Sequence, residues 1–175
     1  MDTPRRRINI ELLLGISATF LSLAALVVSI FQTKIAREQQ EASVWPRIAT
    51  SSGVLELNFT YSVANQGVGP AIIKSVETIY KGHKYPTLSV LLFQHTGHLN
   101  GGFMHGTLEP EMVLKAGDEY ELFKLMRNDE PLSSKLEKIV TDSSFHFRIR
   151  YADIYGNCWQ LDQNKVTELG KCPQH

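Results

Sequence analysis

From Leu12 to Phe31 the chain runs for 20 residues without a charged side chain (LLLGISATFLSLAALVVSIF). At 1.5 Å per residue a helix of that length is about 30 Å long, the thickness of a bilayer's hydrocarbon core. Its only polar side chains are the hydroxyls of Ser17, Thr19, Ser22 and Ser29, which can bond back to the helix's own carbonyls. A cleaved signal peptide has an apolar run of only about 7–15 residues and ends at an A-x-A-like site, and neither feature fits here. The run therefore predicts an uncleaved signal anchor: a transmembrane helix over 12–31, preceded by a cytoplasmic tail over 1–11. Arg5, Arg6 and Arg7 precede it, whereas only Lys34 and Arg37 follow. The positive-inside rule then places the N-terminus in the cytoplasm and the C-terminal domain beyond the membrane.

Within the run, Gly15, Ala18, Ser22, Ala25 and Ser29 recur at spacings of 3, 4, 3 and 4, so they share one helical stripe. Bulky Leu13, Phe20, Leu23, Val27 and Ile30 occupy the other side. A seam of small residues lets two helix backbones approach closely, and a mean period of 3.5 is that of a left-handed crossing. The expected partners are the lipid bilayer and, through this seam, a second copy of the chain or another protein's membrane helix.

Residues 32–45 continue with strong helix formers and no Gly or Pro, which predicts a helical stalk stopped by Pro46. The remaining 46–175 are long enough for one hydrophobic core. From Trp45 onward there are 13 cationic and 14 anionic side chains, and over the whole chain 18 Lys and Arg balance 18 Asp and Glu. That balance argues against a nucleic-acid partner, which asks for a basic face. Alternation over Val54–Val63 predicts one half-buried strand, with Leu55, Leu57, Phe59, Tyr61 and Val63 on one side. Ala71–Tyr80 predicts a second strand, after the turn cluster Asn65-Gln66-Gly67-Val68-Gly69-Pro70, whose glycines permit positive φ. Lys81–Lys84 reads as a hairpin turn, and Leu88–Phe93 as either a strand or a helical turn. Met112–Leu114 and Glu119–Met126 look extended, and Pro131–Val140 carries Leu132, Leu136, Ile139 and Val140 at helical spacing. The clearest hairpin joins Phe145–Tyr151 to Cys158–Leu161 through the turn 153–157. The expected fold is mainly β: an N-terminal transmembrane helix, then an antiparallel β-sandwich of immunoglobulin-like kind with one short helix.

There are two cysteines, Cys158 and Cys172. Paired, they would close a loop worth about 3 kcal/mol in the chain-entropy account. Such a pair persists in an oxidising compartment, so it stands or falls with the topology; two reduced thiols in a cytosolic domain are the alternative.

Three stretches carry a resemblance: REQQEASVWP (Arg37–Pro46) after a single apolar helix, NQGVGPA (Asn65–Ala71) and YADIYGNCW (Tyr151–Trp159). In these the chain resembles a loose group of uncharacterised bacterial single-pass membrane proteins with a small β domain. The resemblance implies a membrane-anchored β module of unknown function and brings no active-site residues; with the flanking charges, the expected location is a bacterial inner membrane with the domain periplasmic or extracellular.

His95, His98 and His105 fall within HTGHLNGGFMH, and three imidazoles with an open fourth position would suit zinc or copper. Four glycines in 97–106 leave the ligand geometry unfixed, so a solvent loop is the competing reading. No G-x-S-x-G, Ser-x-x-Lys or H-E-x-x-H pattern occurs. Tyr151, Tyr155 and Trp159 form either a contact surface around the last hairpin or part of the core. The sequence reading is a non-enzymatic, cofactor-free interaction or sensing module with an unknown protein partner. An envelope metal protein or enzyme built on the three histidines, and a small accessory subunit of a membrane complex, are the alternatives. If the small-residue seam joins helices, Ala18→Leu and Ala25→Leu should abolish self-association in a membrane-dimerisation assay, and an unchanged signal would remove the seam from the reading.

Overall fold

The computed structural model describes residues 9–55, 58–97, 102–126 and 128–172. It divides after Ala42 into two units. The first is α1 (Ile10–Ala42), 33 residues long, apolar enough to cross a membrane, with no buried residue. Ser17, Thr19 and Thr33 donate to the carbonyls of Leu13, Gly15 and Ser29 at 2.8–2.9 Å, which satisfies these three hydroxyls inside the helix. Past Phe31 the helix runs on unbroken, laced by the i,i+4 pairs Lys34–Glu38 and Arg37–Glu41. It stops at Ala42, before Trp45, where the stalk was expected to end. Arg5, Arg6 and Arg7 lie outside the described residues.

The second unit runs, in chain order, β1 (Ile48–Leu55), β2 (Asn58–Asn65), β3 (Ala71–Tyr80), β4 (His83–Tyr85), α2 (Leu88–Thr96) and β5 (Phe103–His105). It continues with β6 (Val113–Leu114), β7 (Glu119–Leu125), α3 (Glu130–Thr141), β8 (Phe145–Ala152), β9 (Asn157–Asp162) and β10 (Lys165–Lys171). One sheet has the order β1-β2-β7-β5; the other is β10-β9-β8-β3-β4, with β6 also on β3. The pairings are antiparallel throughout. The inner faces meet through aromatic rings: Tyr61 of β2 stands edge-on to Phe145 and Phe147 of β8, at 6.0 and 5.7 Å. On β8, Phe145, Phe147, Ile149 and Tyr151 are buried while His146, Arg148 and Arg150 face outward, as the alternation required.

Three expectations need correction. The alternation over Val54–Val63 is not one strand but the end of β1 and most of β2, which form a hairpin with Leu55 opposite Asn58 and Val54 opposite Phe59. Residues opposite each other share a face, so Val54 lies on the side of Phe59. A reversal between 55 and 58 shifts the parity of the pattern without interrupting its appearance. Second, there are two short helices among the described residues, not one. Leu88–Phe93 belongs to α2, started by Thr87, whose hydroxyl accepts the Val90 N–H, and ended at Gly97 with φ +86°. Its neighbour α3 begins on Asp129, whose carboxylate accepts the Leu132 N–H, and buries Leu132, Leu136 and Ile139. Third, the glycines of the 65–70 turn are there for space. Gly67 and Gly69 are not among the positive-φ residues, yet a Cβ on Gly69 would overlap the Val44 carbonyl and one on Gly67 the Arg47 nitrogen.

That close approach is organised by Asn65, which is 1% exposed. Its Nδ2 donates to the carbonyls of Gly69 (2.8 Å) and Leu114 (3.0 Å), while its Oδ1 accepts from the backbone N–H groups of Arg47 (3.2 Å) and Gly67 (3.0 Å). Its own backbone bonds Asp118 and Gly117, both at 2.9 Å. Asn65→Ala strands several of these buried groups at once. Urea unfolding of the full chain in detergent should show a loss of about 2–4 kcal/mol, and a loss near zero would show that the turn holds without it.

Candidate functional site

On the outer face of the larger sheet a groove of about 1280 Å³ runs between two raised walls. Its floor is Ser75, Arg150, Ala152 and Cys158, drawn from β3, β8 and β9. One wall is the Pro110–Glu111 corner. The Glu111 N–H bonds the Ile73 carbonyl at 2.7 Å, and its carboxylate pairs with Lys74 at 2.8 Å. Lys74 is the extra residue where the β3–β8 register shifts between Ile73 and Ser75. The bulge also switches the inward parity of β3, from Ala71 and Ile73 to Thr78 and Tyr80.

The other wall is the β8–β9 turn together with the end of β10. Asp153, 3% exposed, accepts the N–H groups of Tyr155 and Asn157 and the Asn157 side-chain amide, each at 2.8 Å. This turn lifts Ile154 and Tyr155 to the rim, with Gly156 at φ +77°. Cys158 and Cys172 are bonded to each other, their Cα atoms 5.2 Å apart. The pair fastens the chain beyond β10 against the turn, where the Cys172 N–H donates to the Gly156 carbonyl and Lys171 Nζ to the Tyr155 carbonyl, both at 3.0 Å.

Charge is unevenly distributed on this face. Toward β4, Lys84 pairs with Glu77 (2.7 Å), Arg148 with Glu77 (4.0 Å) and Asp162 (2.8 Å), and His146 Nδ1 with Asp162 (2.9 Å). Burial works to raise the Asp162 carboxyl, but its bonds to Arg148 and His146 outweigh it and hold the group below the usual aspartate range. Lys84 likewise lowers Glu77. In the groove, by contrast, Arg150 places Nε on the Gln160 amide oxygen at 2.9 Å and Lys171 meets only a carbonyl. Neither has an ion-pair partner among the described residues.

The residues singled out from sequence part company. Tyr151 is fully buried, stacked on Trp159 at 5.9 Å, and its hydroxyl accepts the Ile48 N–H at 3.4 Å. Tyr151 therefore belongs to the core, the other alternative: its ring fills the space between the sheets and its polar tip is spent on β1. Trp159 is half-buried beside it, and Tyr155 alone of the three stands on the groove rim. His95 lies on α2, its Nδ1 3.1 Å from the Leu91 carbonyl, edge-on to Tyr80 and Tyr85. His105 is exposed on β5, stacked on Phe103. His98 lies outside the described residues. Among the described residues no three His, Cys, Asp or Glu side chains gather as metal ligands. Gly15, Ala18, Ser22, Ala25 and Ser29 are all exposed along α1.

The groove cations Lys74, Arg150 and Lys171 were missed. The exposed parity of β8 put Arg150 on the outer face, but only the bulge and the disulfide gather the other two. A second cleft, about 390 Å³, lies beside Tyr61 and the β9–β10 turn. There Asn164 Oδ1 takes both the N–H and the hydroxyl of Thr50 (2.9 and 2.7 Å), and burial pushes the Tyr61 phenol up to about 12.

No protein-family model matches the chain, nor does any curated protein or solved structure.

Because the Asp162 pKa is depressed in the folded state, its stabilisation is complete above the ordinary aspartate range and lost as pH falls through the folded value. Asp162→Asn should cost about 0.5–1 kcal/mol at neutral pH, and the gap to the parent should close on acidification in chemical unfolding. A gap that is constant with pH would show that the carboxylate's charge contributes nothing.

Proposed function

We propose that the chain is a single-pass, membrane-anchored interaction module, not an enzyme, in a bacterial inner membrane. In this reading the N-terminus is cytoplasmic and the β domain periplasmic or extracellular. The observation that carries it is the bare helix: thirteen large apolar side chains between Ile10 and Phe31 are exposed, and α1 buries none. Each would forgo roughly 1.5–3 kcal/mol if left in water, a sum a bilayer relieves without any protein partner. The Cys158–Cys172 bond supports the outward placement of the domain, since such bonds persist in oxidising compartments.

The finer fold assignment belongs to the same proposal. The order β1-β2-β7-β5 fits strands A-B-E-D of the immunoglobulin arrangement, and β9-β8-β3 fits G-F-C, with β4 as C′ and β10 added at the edge. The cysteine pair joins β9 to the end of β10 and not the two sheets, so the likeness is one of strand order. The sequence resemblance to the single-pass bacterial group named above supports the same reading, in which the domain's work is recognition. Anchoring confines it to two dimensions and raises its effective concentration near a membrane-bound partner.

The full-length chain should sediment with membranes and resist alkaline carbonate. In spheroplasts an impermeant maleimide should leave Cys158 and Cys172 unlabelled until a reductant is added, and then label both. Recovery in the soluble fraction, or labelling only after lysis, would overturn the anchor or its orientation respectively.

A further inference from the structure

The groove on the larger sheet has the dimensions and the chemistry of a peptide site. Small-molecule cavities usually enclose about 300–1,000 Å³, and this one, at about 1280 Å³, is larger. Its apolar parts are side chains that a soluble surface has no reason to collect: Ile154 is 56% and Leu169 48% exposed, and the Cys158–Cys172 bridge lies beside them. Its charged parts are cationic in excess. Glu111 is neutralised by Lys74, and Asp153 is closed off by three hydrogen bonds from its own turn. Among the described residues neither Arg150 nor Lys171 lies in an ion pair, and Glu77, whose carboxylate Arg150 helps to hold down from a distance, is already paired with Lys84 and Arg148.

We infer that this groove binds an extended, acidic segment of a partner protein, with a carboxylate on Arg150 and Lys171 and a neighbouring apolar side chain between Ile154 and Leu169. The inference deepens the interaction-module reading and rests on it. Arg150 suits the task because its Nε is already held by Gln160, which fixes the plane of the guanidinium and leaves the terminal nitrogens to a carboxylate. Lys171 is held by the Tyr155 carbonyl, and the disulfide one residue later keeps it from swinging away. A preformed pair of this kind loses little conformational freedom on binding. The partner's class follows from the sign of the charge together with the exposed aliphatic rim: a simple anion would use the cations and ignore Ile154 and Leu169.

The test uses the full chain in nanodiscs of zwitterionic lipid, offered a random heptapeptide display library. Peptides recovered should be enriched in Asp or Glu next to an aliphatic residue. Their synthetic versions should bind the Arg150→Gln/Lys171→Gln variant about tenfold more weakly or worse, the loss expected when charge-assisted hydrogen bonds are removed. Ile154→Ser/Leu169→Ser should also weaken them, while Lys165→Gln, on β10 but outside the groove, should not. Unchanged thermal unfolding of each variant would confirm that the fold is intact. Recovered peptides that are neutral or basic, or that the double-glutamine variant retains equally, would overturn the groove and leave the interaction reading standing. No enrichment at all would overturn both.

Discussion

A buried amide holds together the place where the chain changes sheets. Between β2 and β3 the backbone leaves one layer and enters the other, and at such a crossing its polar groups have no ladder to join. Asn65 fills that gap with a single side chain. An amide offers two donors and two acceptor sites, and here all four are used, on Arg47, Gly67, Gly69 and Leu114. The segment before β1 is drawn onto the same turn: the Gln66 N–H bonds the Arg47 carbonyl at 2.7 Å, and the Val68 N–H bonds the Trp45 carbonyl at 3.1 Å. Gly67 and Gly69 follow from this, because a chain crossing so close leaves no room for a side chain. Asp could not replace Asn65, since a carboxylate has no hydrogen for the carbonyls of Gly69 and Leu114.

How far the sequence foretold this depends on how much each strand is buried. β3 and β8 lie in the interior of their sheet, and their bounds were readable because a two-sided environment imposes a strong pattern on ten or eight residues. The β8–β9 hairpin was readable for the same reason. β10 passed unnoticed because six of its seven residues are exposed, so no alternation exists to be seen. β5, with three residues, is too short to carry a period, whereas β6 falls within the extended Met112–Leu114 stretch. β1 was lost in a different way. Its end and the start of β2 keep up the look of a single alternating run, although the partners Val54 and Phe59 show that the face changes parity at the reversal.

The aromatic cluster and the histidines show that residue type alone does not fix position. Tyr151, in a hairpin rich in aromatic residues, looked available for contact, but its phase on β8 is that of Phe147 and Ile149. His95 belongs to a helix that the apolar run Leu88–Phe93 did not distinguish from a strand, and its ring is taken up by Tyr80 and Tyr85. The groove was invisible for a reason no single-strand pattern could remedy. It exists because a bulge turns out Lys74, a positive-φ corner at Glu111 makes a wall, and a disulfide returns Lys171 to the sheet.

The two halves of that outer face differ by a single step along β8. Arg148 sits between Glu77 and Asp162 and shares its charge with both; Arg150, two residues on and pointing the same way, finds the neutral amide of Gln160 opposite it. A face that served only to keep the domain soluble would have no cause to neutralise one arginine twice and leave its neighbour outside any close ion pair, with only a longer-range pull on Glu77. Opposite charges on adjacent strands gain a few tenths of a kcal/mol to about 1 kcal/mol, so a carboxylate at 160 would be mildly favourable for folding. Gln160 instead steadies Arg150 without discharging it. Stability alone does not account for that choice, whereas a negatively charged occupant arriving from outside the chain does.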